Sequence, residues 1–147
     1  MKIKEFKSKN IEKKLVRNPK SNKGDYGHVL VIAGNLGFGG AALLSSKAVL
    51  ASGAGLATLA TRKDHLSAAL AYCPEVMSKT VESISDLENH LPNKTVICIG
   101  PGLGRNYWAD QMLYKTTNFA SKENLPILID ADGLNLSLIH ISEPTRR

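Results

Sequence analysis

Two glycine-rich stretches and one pair of aspartates hold most of the residues able to do chemistry. The first stretch is Gly34-Asn35-Leu36-Gly37-Phe38-Gly39-Gly40, and the second is Gly100-Pro101-Gly102-Leu103-Gly104. A glycine loop lets backbone N–H groups approach an anion closely, and a helix that follows aims its positive end at the same point, so phosphate is the natural ligand. The alternative is a tight strand-to-helix turn. The spacing decides neither: there is no Gly-Lys-Ser/Thr, and Gly34-x-x-Gly37-x-Gly39 is not the dinucleotide pattern. In the second loop Pro101 cannot donate, which is expected to leave the amides of Gly102 and Gly104 free. Asp130 and Asp132 are read either as helix-capping residues or, with Gly39 and Gly40, as groups close to phosphate and Mg²⁺.

Each motif follows a short apolar run. His28 to Ala33 is rich in branched residues and reads as a strand buried on both faces, followed by a helix of small residues that stops at Ser52-Gly53. Gly55 to Thr61 reads as a second strand, and Asp64 is placed to cap a helix over Leu66 to Tyr72. An extended segment at Glu75 to Val81 and a helical Ser85 to Leu91 lead to a strand at Thr95 to Ile99. A helix capped by Asn106, with Trp108, Met112, Leu113 and Phe119 as apolar contacts, precedes a last strand at Pro126 to Ile129. Alternating strands and helices predict a mainly parallel sheet with right-handed crossovers, whose C-terminal edge collects the ligand-binding loops. Three ligand-suited loops on that edge favour a phosphate-bearing ligand.

The net charge of +6 is concentrated in the first 23 residues, where nine Lys/Arg face Glu5 and Glu12. That segment reads as a basic, solvated arm with a short helix around Ile11 to Val16, and it lacks the apolar core of a secretory signal. The rest of the chain is not basic and only 5% of all residues are aromatic, which argues against nucleic acid as a partner. Between Val29 and Ala60 only Lys47 is charged, but six glycines in that span argue against a membrane helix. Cys73 and Cys98 have no metal-ligand spacing and read as reduced thiols in a cytoplasmic protein.

In order along the chain stand Lys23-Gly24-Asp25-Tyr26-Gly27, the strand Val29 to Ala33, Gly39-Gly40-Ala41-Ala42, Ser52-Gly53-Ala54-Gly55-Leu56, Pro74-Glu75-Val76-Met77, Gly100 to Gly104 and Asp130-Ala131-Asp132-Gly133-Leu134-Asn135. This ordered set resembles the ADP-dependent NAD(P)H-hydrate dehydratases, carbohydrate-kinase-like repair enzymes. The resemblance implies an α/β, ribokinase-like three-layer α/β/α fold. It also implies a lyase that uses ADP or ATP with Mg²⁺ to remove water from the S form of hydrated NADH or NADPH. Phosphoryl transfer to the hydrate's hydroxyl makes a leaving group there, and elimination restores the nicotinamide ring. By the same resemblance Ala41, Gly102 and Gly104 touch the hydrated dinucleotide, Asp130 and Asp132 lie near the phosphates, and the complete protein is a homo-oligomer.

The sequence departs from that family at two places. Asn22 stands where the family usually has histidine. After Asn135 the family continues to a His-Pro-Gly-Glu segment and a Gly-x-Gly-Asp motif carrying the catalytic aspartate, whereas this chain ends Leu-Ser-Leu-Ile-His-Ile-Ser-Glu-Pro-Thr-Arg-Arg. Residues 136–147 closely resemble the translation of a transposon-end adapter used for sequencing libraries. The expected organisation is therefore a basic arm at 1–23, the N-terminal part of a dehydratase domain at 24–135, and an adapter-derived, poorly packed tail at 136–147. The truncated domain is expected to hold no catalytic residue, to show no turnover and to leave a sheet edge unpaired. The rival readings are a vitamin or sugar kinase of the same fold, an NADP-linked oxidoreductase using Arg62 and Lys63 on a 2′-phosphate, and a non-catalytic adenylate-binding module.

Overall fold

A computed structural model of the chain describes residues 17–142. Its strands are β1 (His28–Ile32), β2 (Leu56–Thr61), β3 (Met77–Thr80), β4 (Val96–Ile99) and β5 (Ile127–Ile129). Between and after them run α1 (Gly39–Ala51), α2 (Leu66–Tyr72), α3 (Ile84–Glu88), α4 (Tyr107–Lys122) and α5 (Asp132–Ser142). All strand pairs are parallel, in the order β3-β2-β1-β4-β5. The parallel α/β fold is the one the alternation of apolar runs predicts.

β1 is the central strand, and its side chains alternate between two cores. Leu30 and Ile32 face one side, where Ile97, Ile99, Trp108, Met112, Leu113 and Leu136 fill the space under α3, α4 and α5. Val31 and Ala33 face the other, against Leu59, Ala42 of α1 and Ala69 of α2. Leu30, Val31 and Ile32 are each fully buried, and such a side chain contributes about 1.5–3 kcal/mol relative to an exposed one. The small residues of α1 let its backbone lie close to the sheet: Ala42 and Ser46 are buried, and the Ser46 hydroxyl is satisfied within the helix by the Ala42 carbonyl at 2.7 Å.

Several local expectations change. Asp64 does not cap α2, because the chain enters that helix through a 3₁₀ turn at Lys63–His65 and Asp64 sits inside the turn rather than before it. The helix expected over Ser85 to Leu91 starts at Ile84, where Ser83 and Asp86 form a reciprocal capping box, and ends at Glu88. Pro92 disfavours helical backbone at Leu91, which instead reaches the core from a turn. The proposed helix at Ile11 to Val16 lies outside the described residues. The basic arm is anchored by its last part: Arg17 donates to the Gly53 carbonyl at 3.0 Å and stacks on Tyr26, and Lys23–Tyr26 is a 3₁₀ turn capped by Asn22. Asn22 thus has a local structural role, accepting from the Gly24 N–H at 2.8 Å.

At the end of the chain, α5 runs to Ser142, and Leu136 is 3% exposed within the core under β4. The expectation of a poorly packed tail therefore fails at Leu136, whose apolar side chain continues the inward face begun by Gly133. On the outer side of β5 the sheet has no further strand among the described residues, and Leu128 is 59% exposed.

Candidate functional site

The strand order reverses direction at β1, which is flanked by β2 on one side and β4 on the other. In an open parallel sheet the crevice at such a point, outside the C-terminal ends of the strands, is where ligands bind. Here the crevice is walled by the loop after β1 and the loop after β4. They are joined directly: Gly34 N–H donates to the Pro101 carbonyl at 3.1 Å and Asn35 N–H to the Gly102 carbonyl at 2.8 Å.

Asn35, 4% exposed, is the hub of the junction. Its Nδ2 donates to the Leu103 carbonyl at 2.9 Å and to Oδ1 of Asn106 at 2.8 Å, while its own Oδ1 accepts from Leu36 N–H. Asn106 Oδ1 also caps α4 by accepting from Ala109 N–H, as its position before that helix suggested. From the β2 side, His65 Nε2 donates to the Asn35 carbonyl at 3.0 Å and Thr61 Oγ1 donates to the Gly34 carbonyl at 3.0 Å. Sequence reasoning passed over Asn35, Thr61 and His65. An amide side chain within a glycine loop was the available signal for Asn35, whereas nothing local marks the other two.

Gly39, Gly40 and Ala41 form the first turn of α1, and Phe38 before them offers no side-chain cap. Their N–H groups therefore lack intrahelical acceptors, at the positive end of a helix dipole. Gly102 lies against this turn: with φ of +59°, a Cβ there would stand 2.9 Å from both Cβ and the carbonyl of Phe38 and 3.0 Å from Cβ of Ala41. Only glycine permits that approach, and the Gly102 N–H has no hydrogen-bond acceptor among the described residues. Gly100 is equally constrained, since a Cβ would meet the Asp130 carbonyl at 1.8 Å; this contact draws the start of the second loop against the end of β5.

The structure brings the sequence-predicted residues Gly39, Gly40, Ala41, Gly102, Gly104, Asp130 and Asp132 to one sheet edge, but two of them differ from expectation. Gly104 N–H is not free, because it donates to Oδ2 of Asp132 at 3.0 Å. Asp130 is exposed and its carboxylate makes no hydrogen bond or ion pair among the described residues, although its charge adds to burial in pushing the Cys98 thiol up, which keeps that cysteine protonated. No group of three or more His, Cys, Asp or Glu able to hold a metal ion is present among the described residues. The residues thus fit an anion and do not by themselves form a cation site.

Of the two residues invoked for a 2′-phosphate, Arg62 has its side chain otherwise engaged. Arg62 pairs with Glu82 at 2.7 Å and stacks 5.2 Å from the Trp108 ring, and Lys63 N–H donates to the same carboxylate. A cavity of about 580 Å³ beside Gly55 and Leu56 lies at the opposite sheet edge and is separate from this crevice.

A parallel α/β sheet with two glycine loops meeting at its reversal point defines an open-sheet α/β protein. The NAD(P)H-hydrate dehydratase family model matches residues 29–147, and the chain belongs to that family. It is 44% identical over 116 residues to the bifunctional NAD(P)H-hydrate repair enzyme Nnr of Coxiella burnetii, covering 79% of this chain and 23% of that protein. With the ADP-dependent (S)-NAD(P)H-hydrate dehydratase of Listeria monocytogenes it shares 38% identity over 120 residues, 82% of this chain and 43% of the relative. Among solved structures, a ribokinase-like superfamily protein of Enterococcus faecalis superposes with a TM-score of 0.84 at 32% identity, over 99% of this chain and 53% of the other. The chain spans less than half the length of these two curated relatives. There is no helix among the described residues long and apolar enough to cross a membrane.

Proposed function

We propose that this chain supplies the phosphate-cradling and hydrate-binding part of a dehydratase acting on the S form of hydrated NADH or NADPH, with ADP or ATP as co-substrate. The observation that carries the reading is the meeting of the uncapped first turn of α1 with Gly102, which brings close together N–H groups of two loops that have no acceptor among the described residues. Ala41 and Gly102 contact the hydrated dinucleotide at its diphosphate, a group that ADP also presents to them, Gly39 and Gly40 face phosphate oxygens, and Asp130 is the exposed carboxylate beside them. A nucleoside phosphate fits this donor set. Mg²⁺ has no protein cage among the described residues.

In this reading the nucleotide's phosphoryl group turns the hydrate's hydroxyl into a leaving group, and loss of that group restores the nicotinamide ring. The residues at the crevice bind and orient anions. Asp132 and His65, the other ionisable side chains that hold the loops, are tied to Gly104 N–H and the Asn35 carbonyl. With no catalytic residue assigned in it, the 147-residue chain is expected to bind nucleotide without turning over. We also read residues 136–147 as adapter-derived, and the protein as cytoplasmic, in keeping with its two free cysteines.

The test supplies (S)-NADH hydrate with ADP or ATP and Mg²⁺ to the chain, and follows both nucleotide binding and the return of NADH absorbance. Binding without recovery of NADH is expected. Recovery of NADH contradicts the inactive assignment, and absence of nucleotide binding contradicts the cradle.

A further inference from the structure

The second glycine loop is held all along its length by side chains and backbone from elsewhere, with Gly100 N–H on the Ile32 carbonyl and Gly34 N–H on the Pro101 carbonyl at its start. Asn35 takes the carbonyls of Gly102 and Leu103, at 2.8 and 2.9 Å, and Asp132 takes the N–H of Gly104 at 3.0 Å. Asp132 is the first residue of α5, where a carboxylate is favoured by the helix dipole whether or not any ligand is bound. Its bond spans 28 residues and ties the end of β5 to the loop after β4. At the other end of the loop, Gly100 is pressed against the Asp130 carbonyl. With these contacts made, Gly102 N–H is the loop amide that stays open between two fixed ends.

We infer that Asp132 is a positioning residue and not a cation ligand: its carboxylate oxygen fixes Gly104 so that Gly102 N–H faces the phosphate. This deepens the proposed function and rests on its phosphate-binding crevice. Holding an N–H requires an oxygen acceptor in the right place. Holding a divalent cation requires the negative charge as well. An asparagine at 132 keeps the acceptor and removes the charge, so it separates the two roles, and the absence of a three-residue metal cluster among the described residues favours the first.

The experiment uses the ¹⁵N-labelled 147-residue chain and its Asp132→Asn and Asp132→Ala variants. It reads amide hydrogen exchange at Gly104 and the affinity for ADP with and without Mg²⁺. Asp132→Asn is expected to stay within about twofold of the parent on both readouts, because it retains a neutral hydrogen bond of similar geometry. Asp132→Ala is expected to speed Gly104 exchange about tenfold and to weaken ADP binding by a similar factor whether or not Mg²⁺ is present, the size of one lost hydrogen bond. The inference is overturned if Asp132→Asn loses affinity as Asp132→Ala does and only with Mg²⁺, or if Gly104 exchange is unchanged in Asp132→Ala. If the parent chain itself binds no ADP, the phosphate reading of the crevice fails, and the Gly104 exchange rates of the two variants still decide whether Asp132 positions the loop. Should Asp132→Ala fail to fold, the comparison of Asp132→Asn with the parent, with and without Mg²⁺, distinguishes the roles.

Discussion

Asn35 Nδ2 donates to the carbonyl of Leu103 across 2.9 Å, joining two glycine loops that lie 68 residues apart in the chain. This buried amide holds the loops together alongside the two backbone bonds from Gly34 and Asn35 to the carbonyls of Pro101 and Gly102. Replacing Asn35 with alanine strands the Leu103 carbonyl and the Leu36 N–H, and is expected to destabilise the chain by about 1–3 kcal/mol, the cost of buried polar groups left unpaired. Urea unfolding of Asn35→Ala against the parent measures it. Asn35→Asp is expected to be at least as damaging, since a carboxylate oxygen then faces the Leu103 carbonyl.

Gly102 packs directly against Phe38 and Ala41 at the start of α1. Gly102→Ala places a methyl group 2.9 Å from Phe38 in a left-handed backbone conformation, and is expected to cost about 1–3 kcal/mol while prising the loops apart. Thermal unfolding and ADP titration should both respond. Retained stability with retained ADP affinity would mean that the close approach of Gly102 to α1 is not needed.

Much of this architecture was legible in the sequence. Buried strands such as β1 and β4 announce themselves as branched apolar runs ending in glycine, and Asn106 sits in an unmistakable cap position. What was not legible depends on pairs distant in sequence. Asn35 meets Asn106 across 71 residues and His65 across 30, and no local pattern encodes such partners. The amide of Gly104 was read as free for the same reason: its acceptor, Asp132, belongs to another βα unit. Arg62 illustrates the converse case, a charged residue well placed in sequence for a phosphate but neutralised by Glu82 and covered by Trp108.

Arg62 should accordingly behave as a structural residue. Arg62→Gln is expected to lower the unfolding midpoint, through loss of the Glu82 pair and of packing on Trp108, without changing relative affinity for NADPH and NADH. Titration of both dinucleotides against parent and variant checks this. A selective loss for NADPH would restore the 2′-phosphate reading.

Stability should also depend on pH through His28. Its ring Nε2 lies 2.8 Å from Thr58 Oγ1, and burial, reinforced by the charge of Lys94, holds its pKa below the ordinary 6.5. A histidine whose folded pKa is lowered binds fewer protons folded than unfolded, so its stabilising contribution is whole above pH 6.5 and declines as pH falls below it. His90, lowered by burial and by Lys79 and Lys94, adds to the same slope. Urea midpoints across this range should fall toward acid, and His28→Gln should flatten part of the decline, leaving the share due to His90.

The adapter reading of residues 136–147 is checked in the source DNA, where the codons for Asn135 to Arg147 should depart from the genomic continuation near Leu136. A genomic sequence identical to the adapter-like codons would make the tail native, and the buried Leu136 would then be part of the evolved core.

If the two glycine loops form one phosphate cradle, as we propose, the amides that line it respond together to a phosphate ligand. The most direct measurement of this is an amide-resolved NMR titration of the ¹⁵N-labelled 147-residue chain with ADP. The amides of Gly39, Gly40, Ala41 and Gly102 should shift together along one binding curve while Gly104, held by Asp132, moves little. Shifts confined to residues at the opposite sheet edge, such as Lys23, Lys47 and Glu75, or no saturable shift at all, would contradict it.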